Sequence, residues 1–161
     1  MRAKYSITVA QKTSLLRTIN KLRKSPMPNA SSYKKTTKHI TIIVEPFYLD
    51  EQSEPADGHY VWAYHVRIEN NSETVVQLKT RYWRIIDSLG NVQEVRGDGV
   101  VGEQPVLDPG ASFEYTSGTP LSTPSGIMAG TYQMKPTGGD CFDVTIPTFS
   151  LDSPHQGGMV H

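Results

Sequence analysis

The chain of 161 residues is most informative first in what it lacks. It has one cysteine, Cys141. A single thiol cannot close an internal disulfide, so a disulfide-stapled secreted fold is excluded. No apolar run approaches the roughly 18 residues of a membrane-spanning helix, which excludes an integral helical membrane protein and predicts no membrane insertion. No CxxC, HxH or HExxH occurs, so the usual spacings for a transition metal are missing. Residues 1–38 contain no Asp or Glu at all.

That last absence splits the chain electrostatically. Residues 1–38 hold ten Lys/Arg, while residues 39–161 hold six basic and all 16 acidic side chains. The net charge of zero is therefore the sum of an arm at +10 and a body at −10. Such a split marks the arm as an object distinct from the domain. Within the arm, residues 11–24 read as a helix: Leu15, Leu16, Ile19 and Leu22 form an apolar stripe among Lys12, Arg17, Lys21, Arg23 and Lys24. Ser25-Pro26 stops it, because a residue before proline is pushed out of the helical region. A linker rich in Pro, Asn and Ser follows to about residue 35. The arm reads as a solvated tail, as a segment docked on an acidic body (its own or a partner's), or as a contact for nucleic acid, anionic membrane or organelle import. No small-residue cleavage site follows a long apolar core, so a secretory signal peptide is not expected and the expected location is cytoplasmic.

From Lys38 onward the pattern changes to short strands. Residues 39–47 alternate, with Ile40, Ile42 and Val44 on one face. Residues 59–70 place Tyr60, Trp62, Tyr64, Val66 and Ile68 on one face, and Val61, Ala63, His65 and Arg67 on the other. Further strands are predicted over residues 74–86, 91–95, 112–116, 127–134 and 142–149. Turns are marked by Asp87-Ser88-Leu89-Gly90-Asn91, Pro109-Gly110 and Gly138-Gly139-Asp140. Seven strands with no helix between them imply an antiparallel sheet, since parallel strands need long crossovers. The spacing predicts an all-β antiparallel sandwich of immunoglobulin or fibronectin type III style, with a barrel as the alternative. The expected organisation is a basic arm and linker over 1–36, a sandwich over 37–154 and a tail over 155–161. Residues 39–151 are expected to fold without the arm. Trp62 is expected in the core.

One motif invites a functional reading. Gly97-x-Gly99-x-x-Gly102 matches the dinucleotide fingerprint, in which glycines let backbone N–H groups close on a pyrophosphate. Pro105 and Pro109 break the helix such a site requires, and Asp98 and Glu103 place negative charge beside any phosphate. The expectation is a tight turn first and a phosphate- or partner-binding loop second. Arg81 and Arg84, on opposite faces of the strand around Trp83, would then supply anion or partner contacts. Of the five histidines, His59 and His65 share a strand face but lie roughly 20 Å apart, too far for one ion. Cys141 sits between Asp140 and Asp143, which disfavours a thiolate, and no nucleophile elbow frames any serine. No catalytic residue, metal or cofactor is expected.

Several ordered runs resemble the ApaG family, sometimes called CorD. They are Gln77-Leu78-Lys79-Thr80-Arg81-Tyr82-Trp83-Arg84-Ile85-Ile86-Asp87, Gly97-Asp98-Gly99-Val100-Val101-Gly102-Glu103-Gln104-Pro105 and Leu107-Asp108-Pro109-Gly110. Phe113-Glu114-Tyr115-Thr116-Ser117-Gly118, Thr123-Pro124-Ser125-Gly126-Ile127-Met128-Ala129-Gly130-Thr131-Tyr132 and Phe142-Asp143-Val144-Thr145-Ile146-Pro147 complete them. The resemblance spans about residues 37–154 and leaves the arm uncovered. It implies a fibronectin-type-III-like sandwich of a bacterial family linked to cobalt resistance and magnesium efflux. Similar domains in eukaryotic F-box proteins and a polymerase-delta-interacting protein look like protein-interaction modules. The expectation is therefore a non-enzymatic binding module with a protein partner, a second copy of the chain included. Nucleic acid does not suit the acidic domain and stays open for the arm. The alternative is a phosphate- or nucleotide-binding protein using Gly97, Gly99 and Gly102.

Overall fold

A computed structural model of the chain describes Arg17 and residues 31–155. Arg17 is helical and exposed. The rest of the expected helix at 11–24, most of the linker and residues 156–161 lie outside the described residues.

Among the described residues nine strands form: β1 (Tyr33–Thr37), β2 (Ile40–Tyr48), β3 (Tyr60–Asn70), β4 (Val76–Asp87), β5 (Val92–Asp98), β6 (Val106–Leu107), β7 (Ser112–Leu121), β8 (Ser125–Pro136) and β9 (Phe142–Asp152). They build a four-stranded sheet, β1-β2-β3-β7, and a five-stranded sheet, β5-β4-β8-β9 with β6 on β4. Every ladder is antiparallel. The two sheets form a sandwich of the fibronectin-type-III-like kind. No helix among the described residues is long and apolar enough to cross a membrane.

Two strands were not foreseen. β1 falls where a linker was expected, because three of its five residues are exposed and its alternation is faint. It is held by pairing with β2, from Tyr33 opposite Val44 to Thr37 opposite Ile40. Its far side meets β9, where the Thr145 N–H donates to Thr37 Oγ1 at 3.3 Å. β6 has only two residues, too few to carry a period. The expected turns do form, with Gly90, Gly110 and Gly138 all at positive φ.

The core follows the period-2 reading. Ile40, Ile42 and Val44 of β2 and Trp62, Tyr64, Val66 and Ile68 of β3 are buried between the sheets. They meet Trp83 and Ile85 of β4, Tyr132 and Met134 of β8, and Val144, Ile146 and Phe149 of β9. Trp62 donates its Nε1–H to the Asp152 carbonyl at 2.9 Å, so its polar handle is satisfied inside the core. Tyr64, Trp83 and Phe149 pack as an aromatic cluster with ring centroids 5.3 to 6.1 Å apart.

Candidate functional site

The three fingerprint glycines lie in one hairpin. Gly97 ends near the tip of β5, and Val100 bridges back to Glu103. The Val100 N–H donates to the Glu103 carbonyl at 2.8 Å and the Glu103 N–H returns to Val100 at 2.9 Å. Val101 and Gly102 between them have φ of 46° and 82°. Two successive positive angles are what a two-residue hairpin of right-twisted strands demands; Gly102 adopts its angle freely, while the β-branched Val101 does so against its steric preference. Gly99, at φ 64°, sits so close that a Cβ would collide with the Glu103 carbonyl oxygen. No helix opens at these glycines. The N–H groups of Gly99, Val100 and Glu103 are already bonded within the hairpin or to Lys79.

Arg81 belongs to this hairpin. It pairs with Gly97 across the β4–β5 ladder, and its Nη1 donates to the carbonyls of Asp98 at 3.0 Å and Gly99 at 2.9 Å. A bulge between Leu78 and Thr80 shifts the β4 register. Beyond the bulge Arg81 shares the inner face with Trp83, opposite Tyr132 of β8. Its charge therefore reaches three tyrosines between the sheets. The hydroxyls of Tyr115 and Tyr132 hydrogen-bond to each other, and Ser117 bonds to Tyr64. Burial raises the pKa of all three phenols, while Arg81 pulls each of them down. Nothing in the sequence marks the three tyrosines as one group; the bulge that sets them beside Arg81 has no sequence signature of its own.

Arg84 is elsewhere, on the outer face of the five-stranded sheet, exposed. Its ladder partners are Glu94 on β5 and Ala129 on β8. The next pair along is Tyr82 with Arg96, whose guanidinium lies 4.3 Å from the Tyr82 ring centroid; the Tyr82 hydroxyl donates to Glu94 at 2.7 Å. On the other side of Arg84 the register aligns Val92, Ile86 and Ile127 in one row. Val92 is 50% exposed, Ile127 45%, and Leu89 in the adjoining turn 78%. Asp87 fixes that turn by accepting the N–H groups of Leu89 and Asn91 and the Asn91 side-chain amide, each at 2.9 Å. The Asn91 side chain first, and the backbone N–H groups with it, hold the Asp87 carboxyl below the usual range. Beside the row a cleft of about 150 Å³ opens between Ile85 and Val92 on one side and Pro120 and Leu121 on the other. The sequence gives a signal for this row, since Ile86 and Ile127 have the opposite parity to buried Ile85 and Met128.

The ApaG domain family matches residues 50–136. The chain is 62% identical over 124 residues to Protein ApaG of Paramagnetospirillum magneticum, covering 77% of this chain and 95% of that protein. The chain belongs to the ApaG family. Protein ApaG of Parvibaculum lavamentivorans is 60% identical over 129 residues, covering 80% and 99%. A crystal structure described as an ApaA protein from Bordetella pertussis superposes with a TM-score of 0.70 at 50% identity, over 72% of this chain and 94% of that one. The ApaG match spans the hairpin, Arg81, the tyrosines and the exposed row alike. Among the described residues, no three His, Cys, Asp or Glu side chains gather as a metal site.

Proposed function

We propose that the chain is a non-enzymatic interaction module whose contact surface is the outer face of the five-stranded sheet. The observation that carries this reading is the row Val92, Ile86 and Ile127, exposed at its two ends and half-buried at Ile86, with exposed Leu89 in the adjoining turn and Arg84, Glu94 and Arg96 beside it. Exposed apolar side chains scattered singly need no explanation, but a contiguous row with a charged rim is the composition of a protein contact. The occupant is a protein that lays apolar side chains over the row and meets Arg84 and Glu94 with groups of opposite charge. The family's link with cobalt resistance and magnesium efflux fits contact with a transport protein rather than with the ion.

The test compares affinity capture by the wild-type chain with capture by Val92→Glu and Ile127→Glu. A partner bound by the wild type and released by both variants supports the reading. A partner held equally by the variants, which stay folded by circular dichroism, overturns it. Titration calorimetry with ATP and pyrophosphate tests the alternative at Gly97, Gly99, Gly102 and Arg81. Saturable binding abolished by Arg81→Met would move the function to the hairpin.

A further inference from the structure

The outer face of the four-stranded sheet is divided into two halves. Running across β2, β3 and β7, its rows are Thr41, Glu69, Ser112; then Ile43, Arg67, Glu114; then Glu45, His65, Thr116; then Phe47, Ala63, Gly118. Past the last row, Val61 continues the face, and the Leu49 N–H donates to its carbonyl at 2.9 Å. The first half is charged. Arg67 bridges Glu69 at 3.1 Å and Glu114 at 3.2 Å. The second half is apolar: Phe47, Leu49, Val61 and Ala63 form a buried cluster separate from the core between the sheets.

An apolar cluster on the outside of a sheet requires cover. The turn after Leu49 covers one end, since Ser53 Oγ accepts the Val61 N–H at 2.9 Å and donates to the Leu49 carbonyl at 2.7 Å. That turn carries Asp50, Glu51, Glu54 and Asp57 and no base. Carboxylates thus flank the apolar strip at both ends, Glu45 and Glu114 on one side and this turn on the other. At the boundary stands His65, only 8% exposed. Its Nδ1 bonds Thr116 Oγ1 at 2.9 Å, yet its Nε2 is closed off from solvent with no hydrogen-bond partner among the described residues, 3.6 Å from Glu114.

We infer that the chain's own basic arm packs on this face, with Leu15, Ile19 and Leu22 over the strip of Phe47, Val61 and Ala63 and its Lys and Arg side chains among the flanking carboxylates. Three features select this occupant. The arm ahead of β1, residues 1–30, has seven bases and no acid, the complement of a strip bounded by acids at both ends. Its apolar stripe, Leu15 to Leu22, would extend about 11 Å along a helix, close to the strip of about 13 Å between Glu45 and Leu49. It also enters the fold at the right place. Tyr33 pairs with Val44, so the chain joins the sheet beside Glu45, and residues 25–30 can span roughly 20 Å. A second copy of the same face would instead bring like carboxylates together.

The test uses the full chain with Cys141→Ser and Arg17→Cys, carrying a nitroxide label at position 17. The expected result is loss of amide signal at Phe47, Val61 and Ala63, with Val92 and Ile127 on the opposite outer face unaffected. Adding Ile19→Glu and Leu22→Glu restores those signals while the rest of the spectrum stays in place. Unchanged intensity at Phe47, Val61 and Ala63 would overturn the inference. So would the same loss on an isotope-labelled chain mixed with a separate nitroxide-bearing chain, because the contact would then be between copies.

Discussion

Arg81 and Gly97 face each other across the β4–β5 ladder, and the guanidinium occupies the space that a side chain at 97 would need. A Cβ on Gly97 would lie 2.8 Å from Arg81 Nη1. The two residues act as one device: the glycine leaves the opening and the arginine reaches through it to tie down the carbonyls of Asp98 and Gly99.

Removing that tie has a graded cost. Arg81→Met leaves two carbonyls without their charged donor, a loss of about 1–3 kcal/mol. Arg81→Lys recovers only part, because an ammonium lacks the planar fork. Urea denaturation should rank wild type above Lys above Met. A Met variant as stable as wild type would show that the bonds to the hairpin contribute nothing.

The glycines of the hairpin should differ among themselves. Gly102→Ala meets only backbone strain, about 1–2 kcal/mol, since nothing lies within 4 Å of its Cβ direction. Gly99→Ala adds a collision with the Glu103 backbone, which cannot swing aside as a side chain does. Denaturation midpoints should therefore fall further for Gly99→Ala. The reverse order would contradict this account of the turn.

Trp62 separates packing from hydrogen bonding. Trp62→Ala should cost about 3–5 kcal/mol. Trp62→Phe keeps much of the volume and loses the hydrogen bond to the Asp152 carbonyl, for about 0.5–1.5 kcal/mol. A cost under about 1 kcal/mol for the alanine variant would place this ring outside the core.

The tyrosines predict the response to alkali. Tyr64, Tyr115 and Tyr132 have raised pKa values in the fold, burial being the main cause. An unfolded tyrosine ionises near pH 10. Their contribution to stability is complete below that pH and is lost as pH rises toward the folded values, because the unfolded chain releases protons that the fold retains. Absorbance at the phenolate band should show these three titrating together with unfolding. Separate, reversible ionisation of all three below the unfolding transition would contradict their burial.

The strands that could be read from the sequence are those with one face against the core. In β3, Trp62, Tyr64, Val66 and Ile68 share a parity because they look into the sandwich, and only the second half of the other face, His65 and Arg67, is polar, Val61 and Ala63 belonging to the outer cluster. β1 lacks that contrast: it is an edge whose Lys34, Lys35 and Thr36 face solvent. At the candidate site, Arg81 and Arg84 were correctly placed on opposite faces of Trp83. The grouping of Arg81 with Tyr64, Tyr115 and Tyr132 depends on the bulge after Leu78 and on residues far apart in the chain, which local periodicity does not encode. Val92 was hidden for another reason. Its strand is exposed on both faces, so no alternation marks which side chain will stand in the row.

β1 changes what shortening this protein would mean. A protease nick or a downstream translation start after residue 37 would not trim an ornament. It would strip the guard rail from β2, exposing the ladder now satisfied from Tyr33 to Thr37 and freeing the Thr145 amide on β9. Bare edges of that kind recruit other chains. A chain starting at Ser31 and one starting at His39 thus differ by only eight residues, yet the shorter one carries the greater tendency to self-associate.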